Sequence, residues 1–471
     1  MNTKPKNRID NSDRGIVTKS LFSISWPIFI DIGLHFATLM INMAMVGMVS
    51  VESVAELTVG NQIFDLGLIL FNFINIGVCV VSAQALGNGN KSIVRRVVHM
   101  ALGLNIIWGL VVSLCVFCFS PFIVELMQVP LEIADSSEGY LRIIALSFLP
   151  EALCLCGAQI LRAHECTRDS MYVAVLINLV TVIGNCMFLF GFMGAPILGV
   201  EGVAISTVMG RVAAVFVFLY LVLKRTKVRI VPRFIFVFKK KILYQILNIG
   251  LPGAGENLSW HGQYMLMTAV IASLGAISLA THGIYFQMCM IMMLFADAMA
   301  LGTEILVAHY AGAMKLDLAD RQLMRSVKIC MVYTVVLAAC IPLGLGKLVF
   351  SLFTDSKEVI AIATPIFLLS AFMEPGRILN IIIINSLRAV GDTRFPVVMA
   401  IISMWGISIP VGCFLALYMD MGLLGVWIGF CCDEWTRGIS MFIRWKTKAW
   451  VSSAKKNYRK NFIKSQRRVL N

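Results

Sequence analysis

The chain repeats itself at a nearly constant offset across most of its 471 residues. Pro27 pairs with Pro252, Asp31 with Glu256 and Gln62 with Gln287, each 225 residues apart. Farther along, Leu161, Arg162, Ala163, Thr167 and Arg168 recur 226 residues later as Leu387, Arg388, Ala389, Thr393 and Arg394. Leu198, Gly199 and Val200 recur as Leu424, Gly425 and Val426. One slipped residue separates the copies. A duplication this long in an apolar chain predicts two similar helical bundles facing each other, the way many transporters build a site at the membrane midplane.

Hydrophobic residues make up 59% of the chain and charged residues 14%. Soluble domains sit near 45–50% and about a quarter, so an ordinary soluble enzyme is excluded. Scanning for apolar runs of about 20 residues with few charges gives twelve spans. The first six are Leu21 to Met48, Val59 to Ala83, Val97 to Phe119, Tyr140 to Leu161, Met171 to Phe192 and Gly199 to Leu223. The second six are Ile242 to Leu274, Ile277 to Tyr310, Ser326 to Phe350, Val359 to Leu387, Phe395 to Leu417 and Gly422 to Arg444. The expected fold is therefore an all-α polytopic membrane protein of two pseudo-symmetric six-helix bundles. Its parts are a tail at 1–20, lobes at 21–223 and 242–446, a basic loop at 224–241 and a basic tail at 447–471.

Basic residues set the orientation. The amino-terminal tail carries Lys4, Lys6, Arg8, Arg14 and Lys19, and alternate loops are basic, with Lys91, Arg95 and Arg96, then Arg162 and Arg168. Between the third and fourth spans, Glu125, Glu132, Asp135 and Glu138 occur without Lys or Arg. Lys347 and Lys357 are the main exceptions. The positive-inside rule then puts both termini in the cytoplasm of a cell-membrane protein. The net charge of +14 lies in tails and loops, which fits a membrane surface rather than nucleic acid. The loop from Lys224 to Lys241 holds eight Lys or Arg and no acid, with Phe234, Phe236 and Phe238 interleaved. That pattern suits a linker lying in the lipid interface. The tail after Trp450 is expected to be flexible.

Cysteine usage suggests no chemistry. Of the thirteen, most sit in apolar spans, and the Cys115–Cys118 spacing has no companion pair or His motif. No metal or other cofactor is expected. The GNGN at Gly87 to Asn90 lacks the lysine of a phosphate-binding loop and reads as a turn; with no nucleophile constellation, an enzyme is not expected.

SAQALGNGNKSIVRR at Ser82 to Arg96, LRA followed by TR after the fourth and tenth spans, and FLFGFMGAPILGVEGVAIST at Phe188 to Thr207 together resemble the multidrug and toxic compound extrusion (MATE) family, in a bacterial subgroup. MEPGRILNIIIINSLRAVGDTRFP and GVWIGFCCDEWTRG extend the resemblance, which runs from about Thr18 to Trp450. It implies a two-lobed, V-shaped antiporter that expels organic, often cationic, compounds in exchange for protons or sodium. Three departures matter. Where relatives begin D-x-x-x-x-G at the end of the first span this chain has Asn42; where they carry Asn and Asp on the fifth span it has Thr181 and Asn185. The acid of the tenth span is replaced by Arg377, with Glu374 one turn earlier.

Polar residues inside the spans need a reason, because an ionised group at the centre of a membrane helix costs roughly 2.5–3.5 kcal/mol on insertion scales. Asp31, His35, Thr38 and Asn42 follow at spacings of 4, 3 and 4, one helical face. Pro27 cannot donate to the Ser23 carbonyl, which weakens the helix just below Asp31. Glu256 stands four residues after Pro252, with Trp260 and Gln263 beside a stripe of Asn257, His261, Tyr264 and Thr268. An acid, an aromatic and a histidine together suit a cationic aromatic compound. A carboxyl alternately buried and hydrated can take up a proton in one state and release it in the other.

Asp31 and Glu256, one per bundle, are expected to face a shared cleft, where a substrate binds near Glu256 and Trp260. Structural hydrogen bonding of Asp31 within its bundle remains the alternative. Asp297 is expected near mid-membrane, Glu304 and His309 nearer the cytoplasmic end, and Asp65 in a supporting role with Glu304. Glu374, Arg377, Asp433, Glu434 and Arg437 form a supporting charge network in which opposite charges pair. Lacking a visible acid cluster, the sequence favours protons over sodium as the coupling ion. The expected partners are a small organic cation and the bilayer, and the expected state is a monomer. A flippase-like exporter of an amphipathic molecule is the alternative function.

Overall fold

The computed structural model describes residues 19–340 and 356–459. Lys347 therefore lies outside the described residues. The first lobe comprises α1 (Leu21–Gly47), α2 (Val51–Gly87), α3 (Lys91–Leu126), α4 (Leu131–Ala145), α5 (Phe148–Ala163), α6 (Thr167–Phe190) and α7 (Gly199–Thr226). A short α8 (Pro232–Ile235) lies in the linker. The second lobe comprises α9 (Lys240–Ser273), α10 (Ala276–Gly312), α11 (Leu316–Cys340), α12 (Lys357–Val390), α13 (Arg394–Tyr418), α14 (Gly422–Lys446) and α15 (Trp450–Tyr458). With α4 and α5 taken as one bent span and α15 lying outside the spans, this is six long spans per lobe, as the repeat predicts.

Local chemistry explains the helix ends. Ser20, Ser50 and Asn90 accept the backbone N–H three residues on, capping α1, α2 and α3. Gly391, with φ of 84°, closes α12 in the left-handed conformation. Helices run beyond the expected spans because charged residues continue them past the apolar run; α3, for example, begins at Lys91. Eight helices are long and apolar enough to cross a membrane singly, and α4 with α5, bent by 43°, makes a ninth span. Helices α9, α11 and α14 fall outside that count, α14 because it carries Asp433, Glu434 and Arg437 within one stretch. Helix α13 shifts into π geometry at Met404–Ser408 and Phe414–Tyr418, flanking Pro410, whose missing N–H cannot continue the α ladder. Pro27 and Pro252 both lie inside continuous helices.

The lobes meet through α1, α2, α9 and α10, and small residues set the approach. A Cβ on Gly250 would lie 1.6 Å from the Phe73 carbonyl oxygen, and one on Gly77 2.2 Å from that of Ile246. Gly87 faces the His309 carbonyl and Gly312 that of Gln84 in the same manner, while Gly302 makes room for the Ser25 side chain. Such crossings exclude side chains and bring backbones into direct contact. Two hydrogen bonds add to them: Gln84 Nε2 donates to Ala389 O at 2.7 Å, and His309 Nε2 lies 2.8 Å from Ala163 O. All these contacts lie on the half of the molecule that carries the basic loops.

From Trp450 to Tyr458 the chain is helical and packed, which corrects the expectation of a flexible tail for that part; residues 460–471 lie outside the described residues. Trp450, 1% exposed, stacks on Trp445 with ring centroids 4.2 Å apart. Asn457 donates to Gly391 O and Tyr458 to Asn88. The basic composition concealed one apolar face, Trp450 and Ala454, opposite Lys455 and Lys456.

Candidate functional site

Each lobe encloses a polar centre of its own. In the first, a cavity of about 330 Å³ is lined by α1, α2, α4, α5, α6 and α7. Asp31, His35, Thr38 and Asn42 all line it, so the expected stripe of α1 turns into the bundle. Arg162 Nη2 donates to Asp31 Oδ2 at 2.6 Å, and Ser170 Oγ reaches the same oxygen at 3.3 Å. A second ion pair, Arg211 with Glu151 at 2.7 Å, lies in the same wall. Asn185 donates to Asn42 at 2.8 Å, so two amides bond each other where relatives are expected to carry acids. Thr38 bonds Asn178. This cavity is charge-balanced, with two acids facing two guanidiniums.

The shared cleft expected from sequence is not what surrounds Asp31, because every residue lining its cavity belongs to the first lobe. The reason is the strong pull of Arg162 and Ser170, on α5 and α6, which draws the carboxylate inward. Asp65 points elsewhere: it is exposed, beside the α2 face on which Asn61 and Asn72 line the cavity.

The second lobe is arranged at equivalent positions with different charges. Arg377 donates to Glu374 at 2.6 Å and lies 3.5 Å from Glu434. Arg437 grips Asp433 through two hydrogen bonds, 3.1 and 2.6 Å, and lies 3.4 Å from Glu434. Asn380 donates to Glu434 at 3.0 Å. The five charged residues of the expected network are thus joined side by side.

Glu256 is buried, and its Oε2 has no hydrogen-bond partner among the described residues. Arg388 and Arg437 are the cations that act on it electrostatically. The Arg388 guanidinium packs against Gly253, where a Cβ would lie 3.0 Å from Nη1, yet forms no ion pair with Glu256 within 4.0 Å. In the first lobe the equivalent residues, Asp31 and Arg162, are in contact. Glu304 is also buried, with an unpartnered Oε1 and Arg388 as its nearby cation, and Asp297 lies within the field of Arg377 and Glu374. Six carboxyls, Glu256, Asp297, Glu304, Glu374, Asp433 and Glu434, thus share three guanidiniums, Arg377, Arg388 and Arg437.

Beside this network a small cavity of about 40 Å³ is walled by Trp260, Tyr264, Phe286, Trp427 and Phe430, with Arg377, Asp433 and Glu434 at its polar edge. Trp260 stacks on Tyr264 at 5.6 Å, and Tyr264 meets His282 at 3.2 Å. The expected polar stripe on α9 is rotated from its buried face. Asn257 and His261 are exposed, while Gly253, Glu256, Gln263, Met267 and Ile271 are buried. His261 touches Trp260 edge-on at 5.0 Å but does not line the cavity. Met267 and Ile271 continue that buried face past Gln263, so it does not coincide with the polar stripe.

Glu151, Arg211 and His282 were absent from the sequence reading. For Arg211 a signal existed: it stands 226 residues before Arg437, and Glu151 stands 226 before Arg377. Among the described residues no group of three or more His, Cys, Asp or Glu could hold a metal ion.

The Asp31–Arg162 pair can be tested directly. Its side chains are only 17% and 14% exposed, and removing one partner of a buried pair strands the other, at a cost on the order of 3 kcal/mol. Asp31→Asn is expected to lower the thermal midpoint in detergent, and adding Arg162→Gln to restore part of it. A double variant that melts no higher than the single one would show that the pair does not couple α1 to α5.

The MatE family model matches the chain twice, at residues 27–187 and 252–414. The two matches begin at the paired prolines of the repeat. YisQ of Bacillus subtilis strain 168, described as an uncharacterized transporter, is 36% identical over 435 residues, 92% of this chain and 95% of that protein. A probable multidrug resistance protein NorM of Thermotoga maritima is 25% identical over 91% of this chain and 92% of its own length. Among solved structures, a MATE in the bent conformation superposes with a TM-score of 0.86 at 20% identity, covering 94% of this chain and 98% of that one. A MOP superfamily transporter from Pyrococcus furiosus, described as having a binding pocket of reverse polarity, gives 0.83 at 19%, covering 92% and 96%. By its duplicated helical fold and the double family match, the chain belongs to the MATE family of membrane transporters.

Proposed function

We propose that the protein is a secondary antiporter that exports organic cations in exchange for protons by alternating access of its two lobes. The observation that carries this reading is the charge surplus of the cluster inside the second lobe, where six carboxyls share three guanidiniums beside an aromatic wall. Protons or an organic cation can each neutralise that surplus, so the two compete for one charge deficit, which is the thermodynamic requirement of antiport. The relative named NorM supports a multidrug substrate range.

Taking the basic loops as cytoplasmic, the glycine crossings close the cytoplasmic half. In the opposite state a cytoplasmic cation enters against Trp260 and Tyr264 and is held by the acids near Glu256, gaining charge pairing and cation–π attraction. Protonation from outside weakens that pairing and favours release. The second-lobe cavity is far below the roughly 300 Å³ at which ligand pockets begin, so its aromatic wall must separate to admit a substrate. The first-lobe cavity, about 330 Å³, already has that size, and its balanced charges and amides suit polar, uncharged parts of a molecule.

Reconstitution in liposomes with imposed proton or sodium gradients and a panel of fluorescent organic cations tests the reading. Cation movement driven by the proton gradient is expected. Movement driven by sodium alone would replace the coupling ion. Lipid translocation without cation movement would replace the function with the flippase-like alternative.

A further inference from the structure

We infer that the basic cavity beneath the inter-lobe linker binds the phosphate headgroup of an anionic phospholipid. This cavity, about 380 Å³, lies between the start of α3 and the segment joining the lobes. Arg95, Arg96 and Lys239 line it together with Ser92, and no acid does. None of the three cationic side chains has an ion-pair or hydrogen-bond partner among the described residues. Unneutralised cations of one sign at a membrane interface attract anionic headgroups.

The walls are built rather than incidental. His99, 3% exposed, accepts a hydrogen bond from the Val231 backbone N–H at 3.0 Å and donates through Nδ1 to Arg95 O at 2.7 Å. That fixes both the linker and the backbone from which Arg95 projects. Gly103 allows the linker to lie directly on α3: a Cβ there would meet the Ile235 carbonyl oxygen at 2.2 Å. Phe234 also packs edge-on against His99, with ring centroids 6.2 Å apart.

The rim explains why a lipid, and not a free anion, is the occupant. Phe234, Phe236, Val237 and Phe238 are all exposed beside the cations. Exposed apolar side chains next to basic ones are the pattern of interfacial segments that bury their apolar face among acyl chains. A soluble anion gains nothing from that rim. Since Lys239 and Ile242 lead from the linker into the second lobe and Arg95 and Arg96 belong to the first, a headgroup held here would tie the two lobes together at their covalent junction.

The test uses the full chain in neutral detergent and the fluorescence anisotropy of acyl-labelled phosphatidylglycerol, with labelled phosphatidylcholine beside it. Saturable binding of phosphatidylglycerol alone is expected. The Arg95→Ala/Arg96→Ala/Lys239→Ala variant is expected to bind about a hundredfold more weakly, at about fivefold per surface cation. Arg95→Lys/Arg96→Lys/Lys239→Arg should retain binding, and it decides the matter if the alanine variant does not fold. Lys446→Ala/Lys455→Ala/Lys456→Ala should leave binding unchanged. Equal loss in that control, no loss in the first variant, no binding to the charge-preserving variant, or displacement of the lipid by equimolar inorganic phosphate would each overturn the assignment.

Discussion

Glu256→Gln is expected to abolish proton-driven export of organic cations while leaving a folded protein in the membrane. Glutamine keeps the shape and one hydrogen-bonding oxygen but cannot exchange a proton, and Glu256, like Glu304, is a buried acid with an unpartnered oxygen in a cluster where carboxyls outnumber guanidiniums. Since Arg388 lies near without contact, the substitution breaks no ion pair. Stability should therefore change little, within about 1 kcal/mol as for most substitutions that break no such interaction. The check is cation efflux from proteoliposomes under an imposed pH gradient, alongside the thermal midpoint of the same preparation. Full gradient-driven transport by the variant would remove Glu256 from the coupling mechanism. Loss of transport together with a collapsed midpoint would make its role structural.

Arg437→Gln is expected to produce the largest loss of stability. Its guanidinium holds Asp433 by two hydrogen bonds and stands 3.4 Å from Glu434, with its own side chain 4% exposed. Removing it strands Asp433 deep in the bundle and leaves Glu434 with Arg377 and Asn380 alone, at a cost of about 3–5 kcal/mol. Folded yield and thermal midpoint should both fall sharply. Adding Asp433→Asn should recover much of the loss, since one stranded charge disappears. A single variant that melts like the parent would mean that the network is neutralised in some other way.

Much of the architecture was legible because duplication leaves a mark that survives in the sequence. The prolines, the Arg162 and Arg388 pair and the six-plus-six division all followed from one offset. What stayed hidden was side-chain destination. A window that tolerates one charge in an apolar run passes over Arg211 and Glu151, although carrying the offset through every intramembrane charge would have flagged both. Asp31 and Glu256 are equivalent in sequence, yet one is drawn into an ion pair and the other is not. Arg162 reaches Asp31 at 2.6 Å while Arg388 forms no such pair with Glu256, and no pattern of residues encodes that difference. On α9 the polar stripe and the buried face differ: Asn257 and His261 are exposed while Glu256 and Gln263 are buried. In a membrane bundle an apolar face can be buried against other helices while exposed polar residues border a cleft.

The two halves of the molecule should move in opposite senses if the lobes rock. Spin labels at Lys91 and Arg394 report on the basic-loop side, and labels at Val49 and Ser273 on the other; all four positions lie outside the inter-lobe crossings described above. Distances in each pair, measured in lipid nanodiscs at low and high pH and with a transported cation, test alternating access most directly. One distance should lengthen as the other shortens. Distances that do not respond to either ligand, or that lengthen together at both ends, would contradict it.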